Sequence, residues 1–272
     1  MLPIAVLPAE EASVLEAIFF DIDGTITDGE GRIPSQVFQA MERAQGEGLR
    51  VVPVTGRPAG WCDLIARTWP VDAVVGENGG LIFRRTSGGS DKDRMERVFA
   101  QDEETRRTNR ARLDKLAEEV LRRHPGARMA SDQSYREFDI AVDFCEDVRA
   151  LAEQEVDAII GFLEENGCHV KLSNIHVNAW FGDFDKASMC QQLARDLGPW
   201  ELSGADRGRV AFFGDSPNDA PLFDLVDCSI GVANLKHMVD RIKTPPRYVT
   251  TFDGARGFVE GVDHLLQHRN SS

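Results

Sequence analysis

Two aspartates lie one residue apart directly after an apolar run near the start of the chain. The stretch IFFDIDGTITD, residues 18–28, contains Asp21 and Asp23. A buried strand that ends in this way brings both carboxylates to its carboxyl-terminal edge. Because like charges so close repel each other, the pattern indicates a metal site or an acid–base pair. A plain Asx turn is the third interpretation.

Residues suited to binding a phosphate group follow a second apolar run. The stretch VVPVTG ends in Thr55 and Gly56 ahead of a predicted helix, so a hydroxyl and free backbone N–H groups meet at one strand end. Lys186 opens another predicted helix, where its charge opposes the helix dipole and indicates an anionic partner. Taken singly, these motifs are also typical of a turn and of a solvated lysine.

A second acidic cluster follows the apolar run RVAFFGD. The motif GDSPND supplies Asp215, Asn218 and Asp219. Such a cluster at a sheet edge offers the oxygen ligands that a hard divalent cation such as Mg²⁺ requires. An EF-hand loop beginning at Asp21 is excluded, because the positions that need Gly and Glu hold Ile26 and Arg32.

Alternating strands and helices must position these residues. Apolar runs predict strands over 16–22, 50–54, 71–75, 209–215 and 228–234. The predicted helices between and after them cover 34–46, 58–67, 185–197 and 254–267. Repeated βα units imply a parallel sheet whose chemistry lies at the carboxyl ends of the strands. The predicted fold class is α/β, a doubly wound, Rossmann-like core.

An inserted α/β unit interrupts this core. The chain becomes polar and charged from about residue 86, and a helix is predicted over 102–123. A strand (137–144), a helix (147–165) and two strands (168–172 and 175–181) follow. We therefore predict a catalytic core formed by residues 1–86 and 183–272, with a cap domain over 87–182.

The order and strand context of the motifs resemble the haloacid dehalogenase superfamily of phosphotransferases. DIDGT is similar to its first motif, VVPVTG to its second, Lys186 to its third and GDSPND to its fourth. The insert resembles the large α/β cap of the sugar-phosphate phosphatase branch, class IIB. That branch includes the sucrose-phosphate, mannosyl-phosphoglycerate and trehalose-phosphate phosphatases, and ENGG near residue 77 is similar to one of its motifs.

The resemblance implies a role for each motif residue. Asp21 is expected to attack phosphorus and form an aspartyl-phosphate, and Asp23 to protonate the leaving oxygen. Mg²⁺, the implied cofactor, is expected on Asp21, on the backbone carbonyl of Asp23 and on Asp215. Asp219 is expected to orient Lys186. The expected phosphate-binding residues are Thr55, Gly56, Arg57, Lys186 and Asn218.

The insert contains weaker candidates for substrate contact. His176, Asn178 and Trp180 alternate along one strand and form either a half-buried sheet face or a substrate-facing surface. Arg136 is either a surface residue or a ligand for a second anionic group. Tyr135 and Asn78 are similar candidates.

Composition narrows the class of protein. The 272 residues carry a formal net charge of −14, which argues against binding nucleic acid or an anionic membrane through a basic surface. No apolar run is long enough to span a bilayer, and the first residues lack a signal-peptide pattern, so we expect a cytoplasmic protein. The first residues are expected to form a loose arm before the first strand. The five cysteines show no metal-ligand spacing and are expected to be reduced.

These observations predict a Mg²⁺-dependent phosphomonoester hydrolase that acts on a small phosphorylated metabolite, most simply a sugar phosphate. A phosphohexomutase of the phosphomannomutase type would instead return the phosphoryl group to a sugar hydroxyl. A metabolite-binding relative without catalysis is the alternative from another class, but it would need neither Asp21 nor Asp23. The sequence leaves the oligomeric state open.

Overall fold

A central sheet of six parallel strands, flanked by helices on both faces, forms the core of the computed structural model. The structure describes residues 1–86, 94–173 and 175–269. The predicted α/β, doubly wound architecture is confirmed.

The strands are β1 (Leu2–Pro3), β2 (Ala17–Phe20), β3 (Arg50–Pro53), β4 (Ala73–Gly76), β5 (Leu81–Thr86), β6 (Arg94–Phe99), β7 (Arg128–Met129), β8 (Ile140–Asp143), β9 (His169–Leu172), β10 (His176–Trp180), β11 (Val210–Gly214), β12 (Cys228–Gly231) and β13 (Tyr248–Val249). The helices are α1 (Ala9–Ser13), α2 (Ser35–Gly46), α3 (Ala59–Thr68), α4 (Glu103–Arg123), α5 (Glu153–Glu165), α6 (Lys186–Leu197), α7 (Ala220–Leu225) and α8 (Gly254–Arg269).

The core sheet has the strand order β1-β13-β12-β11-β2-β3. Strand β2 lies between β11 and β3, with Phe20 opposite Phe213 and Pro53 in the register. Because all three strands run in the same direction, the residues that follow them meet at one edge. This edge receives Asp21, Thr55 and Asp215, as the sequence predicts.

Alternate residues of the central strands bury opposite faces of the sheet. Phe20 and Phe213 pack with Phe258 of α8, whereas Phe19 and Phe212 belong to a second cluster that includes residues of α6 and α7. Because both faces of these strands are buried, their sequences are continuous apolar runs.

A three-stranded sheet, β4-β5-β6, adjoins the core sheet through a parallel bridge between Val54 and Val75. The sequence predicted β4 and β5 but treated the segment after residue 86 as polar. Strand β6 nevertheless pairs antiparallel with β5, because Arg84 and Arg97 satisfy their charges with carboxylates while Phe99 packs edge-on against Phe83. The strand thus lies in this sheet, although it falls within the predicted 87–182 insert; residues 87–93 are outside the described part.

The cap consists of a four-stranded antiparallel sheet, ordered β7-β8-β10-β9, with α4 and α5 packed on it. Its apolar core includes Leu113, Ile159 and Val177. Helix α5 begins at Glu153, six residues later than predicted, because the Asp143 side chain accepts the N–H groups of the residues just after β8 and forms a turn there.

Aromatic side chains join the cap to the core. The Phe138 ring lies 5.2 Å from that of Phe184 and 6.1 Å from that of Phe99, centroid to centroid. Trp180 stacks on Phe184 at 5.8 Å. Since Phe99 and Phe184 lie on the two chain segments that connect the cap, this packing holds both segments beside the cap loop that contains Phe138.

The first residues are not a loose arm, and this expectation was wrong. Leu2 and Pro3 pair in parallel with Tyr248 and Val249, and Ile4 and Leu7 are buried. This apolar segment adds one edge strand to the core sheet.

All five cysteines lie among the described residues and are free thiols, four of them buried. No helix in the described part of the chain combines the length and apolarity needed to cross a membrane.

Burial of the amino-terminal segment can be tested with two leucines. Leu7 is 2% exposed and Leu2 is 50% exposed. We expect Leu7→Ala to lower the free energy of unfolding by about 2–5 kcal/mol, because it leaves a cavity. The matched variant Leu2→Ala should change it by less than about 0.5 kcal/mol. Urea denaturation measures both values, and equal small effects would show that the segment is loosely attached.

Candidate active site

A buried lysine joins two of the strand-end carboxylates. The Nζ atom of Lys186 donates to Asp21 Oδ1 at 2.7 Å and to Asp219 Oδ1 at 2.9 Å. All three side chains are at least 90% buried. The anionic partner that the position of Lys186 indicated is therefore a pair of carboxylates.

The start of α6 is fixed so that Lys186 reaches this point. Asp185 caps the helix and exchanges hydrogen bonds with Ser188. Gly79 lies against it with φ of +101°, and a Cβ there would approach Asp185 O to 2.0 Å. Only glycine allows the turn after β4 to pass this close.

Asp215 accepts hydrogen bonds from two neutral side chains. Its Oδ1 accepts from the hydroxyl of Thr25 at 3.2 Å and its Oδ2 from the amide of Asn234 at 3.0 Å. Asn234 also donates to Gly24 O, so it ties the loop after β2 to the loop after β12. Each Asp215 oxygen keeps lone-pair capacity for another partner.

Asp219 is held at both carboxylate oxygens. Its Oδ1 accepts from Lys186, while Oδ2 accepts from the backbone N–H groups of Asp215 and Ser216 at 3.1 and 3.2 Å. These bonds fix the loop after β11 and aim Asp219 at the lysine.

The cluster has more buried anions than cations. Burial raises the pKa of Asp21 well above its usual value, and the Asp219, Asp215 and Asp23 carboxylates raise it further, against the opposing effect of Lys186. Burial acts to lower the pKa of Lys186, but Asp21 and Asp219 outweigh it and raise that pKa, so the ammonium stays charged.

The donor set fits a hard divalent cation. Carboxylate oxygens of Asp21, Asp215 and Asp219 all lie within 4.8 Å of one another. Oxygen-only ligands and excess negative charge are what Mg²⁺ or Ca²⁺ requires. A cation would also relieve the repulsion that raises the pKa of Asp21.

The Thr55–Gly56 loop rests on a turn in an unusual backbone conformation. Glu77 and Asn78 have φ of +46° and +54°, in the left-handed region that residues other than glycine rarely adopt. Asn78 N–H donates to Thr55 O, and a Cβ on Gly56 would press against the Asn78 side chain at 3.2 Å. This turn therefore packs against the predicted phosphate-binding loop and holds it in position.

Glu77 connects this turn to the cap. Its buried carboxylate accepts the N–H groups of Ala59 in the core and of Glu137 and Phe138 in the cap, at 2.6–3.1 Å. Burial, together with the nearby Asp139 carboxylate, raises the pKa of Glu77 to about 7. A single side chain therefore fixes the cap loop relative to α3.

Arg57 contacts the second aspartate of the first motif. Its guanidinium donates to both oxygens of Asp23, at 2.8–3.2 Å. The same group lies 3.2 Å from Glu146 and 3.5 Å from Asp132, both in the cap. Arg57 consequently links Asp23 to two cap carboxylates.

Arg136 is a buried structural residue of the cap–core junction and not a surface arginine. It pairs with Asp132 at 3.1 Å and with Asp139 at 2.9 Å, and donates to the backbone carbonyl of Gly56 at 3.0 Å. Asp139 in turn accepts from Asn178 at 3.0 Å.

A cavity of about 20 Å³ lies between the cap and the strand ends. It is lined by Asp21, Asp23, Gly56, Arg57, Arg136, Ser173, Ile175, His176, Asn178, Ser216 and Asn218. A volume of this size holds roughly one water molecule.

The structure brings most of the predicted site residues together. Asp21, Asp215, Asp219 and Lys186 form one cluster; Asp23, Gly56, Arg57 and Asn218 line the cavity beside it. The roles assigned to them remain predictions. His176 and Asn178 face the cavity, whereas Trp180 packs against Phe184 and Tyr135 is 57% exposed.

Several residues of the site were missed from the sequence. Thr25 and Asn234 were detectable as polar residues that follow strands of the same sheet. Glu77 lay within the ENGG motif without an assigned role. Asp132 and Glu146 gave no signal, because their position depends on how the cap lies over the core.

Comparison with known proteins agrees with this geometry. A family model described as haloacid dehalogenase-like hydrolase matches residues 18–102. A phosphoglycolate phosphatase of Methanobrevibacter smithii is 24% identical over 93% of this chain and 99% of its own length. A phosphoglycolate phosphatase of Methanothrix thermoacetophila is 27% identical over 93% and 97%.

Solved structures share the fold at low identity. A Thermoplasma acidophilum protein aligns with a TM-score of 0.69 and 19% identity, covering 93% of this chain and 98% of its own. A haloacid dehalogenase subclass IIB sugar phosphatase aligns with a TM-score of 0.61 and 17% identity, over 92% and 98%.

Removal of the Lys186 ammonium should destabilise the folded protein. Lys186→Met leaves Asp21 and Asp219 without their buried partner, so we expect the free energy of unfolding at pH 7 to fall by about 3–5 kcal/mol. The same substitution at the exposed Lys115 should change it by less than about 0.5 kcal/mol. Urea denaturation without divalent cations measures both; equal stabilities of the two variants would contradict the pairing.

The raised pKa of Glu77 predicts a pH-dependent stability. The folded protein retains a proton on Glu77 that the unfolded chain releases near pH 4.5, so this contribution is full below that pH and is lost as the pH rises through about 7. Glu77→Gln lacks it and also places an amide donor against N–H groups.

We therefore expect Glu77→Gln to be destabilised most at pH 5 and progressively less up to pH 8. Urea denaturation across this range gives the difference from wild type, with the exposed Glu165→Gln as control. A difference that stays constant with pH would contradict the predicted shift.

Proposed function

We propose that this chain, a phosphatase of the haloacid dehalogenase superfamily of hydrolases, is a Mg²⁺-dependent phosphomonoester hydrolase. It would form an aspartyl-phosphate and act on a small sugar phosphate. The observation that carries the proposal is the buried contact of Lys186 with Asp21 and Asp219 at the strand ends. Phosphoryl transfer needs chiefly positioning and charge stabilisation, and this cluster supplies both.

In the proposed site, Asp21 and Asp215 would hold Mg²⁺ through their carboxylates and Asp23 through its backbone carbonyl. Bound there, the cation would neutralise charge on the phosphate group. Asp219 is less suited to direct ligation, because the Lys186 ammonium contacts its Oδ1 and two backbone N–H groups donate to its Oδ2.

The side chains then divide the reaction between them. Asp21 is the nucleophile, and Lys186 orients its Oδ1 and binds an oxygen of the transferring group. The Thr55 hydroxyl and the backbone N–H of Gly56 bind further oxygens at the end of β3. Asp23 protonates the leaving oxygen and later removes a proton from the water that releases phosphate.

Arg57 must release Asp23 before the transfer. The Arg57 guanidinium donates to both Asp23 oxygens, which leaves the carboxylate poorly placed to give a proton to a leaving group. The arriving phosphate offers Arg57 an alternative anionic partner and frees Asp23 for the leaving group.

Two substrate classes have support. Polar side chains of the cap that line the cavity, including Ser173 and Asn178, favour a hydroxylated leaving group, and one fold relative is a sugar phosphatase. The names of the sequence relatives favour phosphoglycolate as a second candidate. A phosphohexomutase has no comparable support, since these sequence relatives are named as phosphatases.

The proposal is tested by phosphate release from sugar phosphates, polyol phosphates and phosphoglycolate, measured with excess MgCl₂ or with EDTA. We expect turnover with Mg²⁺ and none with EDTA. Asp21→Asn should lower kcat by at least about 10⁴-fold, because no alternative nucleophile replaces it.

Thermal unfolding with Mg²⁺ separates catalysis from folding in the same samples. Asp21→Asn should keep the wild-type fold by circular dichroism. Wild-type protein that binds Mg²⁺ but releases no phosphate from any compound would indicate a binding protein instead. A hexose 1-phosphate converted to its isomer in the presence of the bisphosphate would indicate a mutase.

A further inference from the structure

Glu146 occupies a fixed position on the cap, facing the core. The Asp143 carboxylate accepts the N–H groups of Glu146 and Asp147 at 2.7 and 2.8 Å, which orders the loop after β8. On the neighbouring strand β10, His176 Nε2 lies 2.9 Å from Glu146 Oε2. The carboxylate is thus held from two sides and remains partly exposed, at 28% of its side chain.

Only one side chain separates Glu146 from the predicted proton donor. Arg57 Nη2 lies 3.2 Å from Glu146 Oε1 and 2.8 Å from Asp23 Oδ1. Asp23 is expected to protonate the leaving oxygen. Glu146 therefore lies near the position that the rest of the leaving group would occupy.

The charges around this position are unfavourable for a carboxylate on the leaving group. Arg57 faces Asp23, Asp132 and Glu146, and Arg136 faces Asp132 and Asp139. Two guanidinium groups therefore face four carboxylates. These are the only Arg or Lys side chains that line the cavity in the described part of the chain.

Glu146 is an acceptor and not a donor at neutral pH. The contact with His176 and the charge of Arg57 lower the pKa of Glu146 to about 2. Nearby, Asp132 Oδ2 is a buried acceptor that has no hydrogen bond and lies 3.5 Å from Arg57 Nη1, so it retains capacity for a hydroxyl.

We propose that Glu146 is a specificity-determining residue that accepts a hydroxyl of the leaving group and rejects phosphate esters whose leaving group carries a carboxylate. This inference rests on the proposed phosphatase activity and deepens it. A carboxylate brought beside Glu146 would find every neighbouring guanidinium already paired, whereas a hydroxyl would find acceptors.

The test uses pairs of compounds that differ only in the group concerned. Glycerol 3-phosphate is compared with 3-phosphoglycerate, and 2-hydroxyethyl phosphate with 2-phosphoglycolate. Each is measured as a competitive inhibitor of p-nitrophenyl phosphate hydrolysis with Mg²⁺, so that compounds turned over slowly still give an apparent Ki.

For the wild type, we expect the carboxylate member of each pair to have a Ki at least about tenfold higher than its hydroxyl partner. Glu146→Gln removes the charge but keeps the shape, so it should reduce this ratio by about tenfold. Glu146→Asp should retain a ratio above that of Glu146→Gln, and Glu164→Gln, on the exposed side of α5, should retain the wild-type ratio.

Two results overturn the inference: a wild-type enzyme that binds the carboxylate members more tightly, or a Glu146→Gln ratio within about twofold of wild type. Either result leaves the phosphatase proposal intact, since p-nitrophenyl phosphate is still hydrolysed. Absence of that hydrolysis in the wild type would instead overturn the proposed function. Thermal unfolding of each variant confirms that a lost ratio does not reflect a lost fold.

Discussion

The arrangement of this molecule depends on one electrostatic constraint, the burial of several carboxylates at the carboxyl ends of parallel strands. Asp21, Asp215 and Asp219 approach one another closely, and Lys186 is the cation that contacts two of them. Burial raises the pKa of Asp21, and the neighbouring carboxylates raise it further because one ammonium does not balance three carboxylates. The capping of α6, the glycine turn against it and the Asp219 contacts with the next loop hold this cluster in place. Its donor set fits the divalent cation that we propose.

A second set of buried charges connects the cap to the same edge. Glu77 binds backbone N–H groups from both units, and Arg57 links Asp23 to Asp132 and Glu146. Removing any one partner would leave others buried and unpaired, which is costly. The cap loop 132–139 therefore helps to hold the site residues in position.

The core and its strand-end residues were predictable because local sequence patterns encode them. Two apolar runs ending in aspartate, IFFDID and VAFFGD, define adjacent parallel strands, and parallel pairing alone brings Asp21 and Asp215 together. The amino-terminal segment and β6 were misjudged, since an edge strand of two residues and a strand rich in paired charges show no clear period. Glu146 and Asp132 could not be placed from sequence, because Arg57, the core residue that contacts both, is more than 70 residues away along the chain.

The small cavity defines what must move for catalysis. A volume of about 20 Å³ admits a water molecule but is too small for a phosphate ester, so side chains or the cap must shift to admit one. The aromatic contacts of Phe138 and the bonds of Glu77 hold one part of the cap against the core. Ionic contacts hold other parts: Arg241 pairs with Glu153, and Arg57 contacts Glu146 and Asp132. A phosphate that draws Arg57 away would weaken the Arg57 contacts and free Asp23 in the same step. Readiness of the proposed proton donor would then be coupled to one of the ionic contacts between cap and core, because Arg57 contacts both Asp23 and the cap carboxylates.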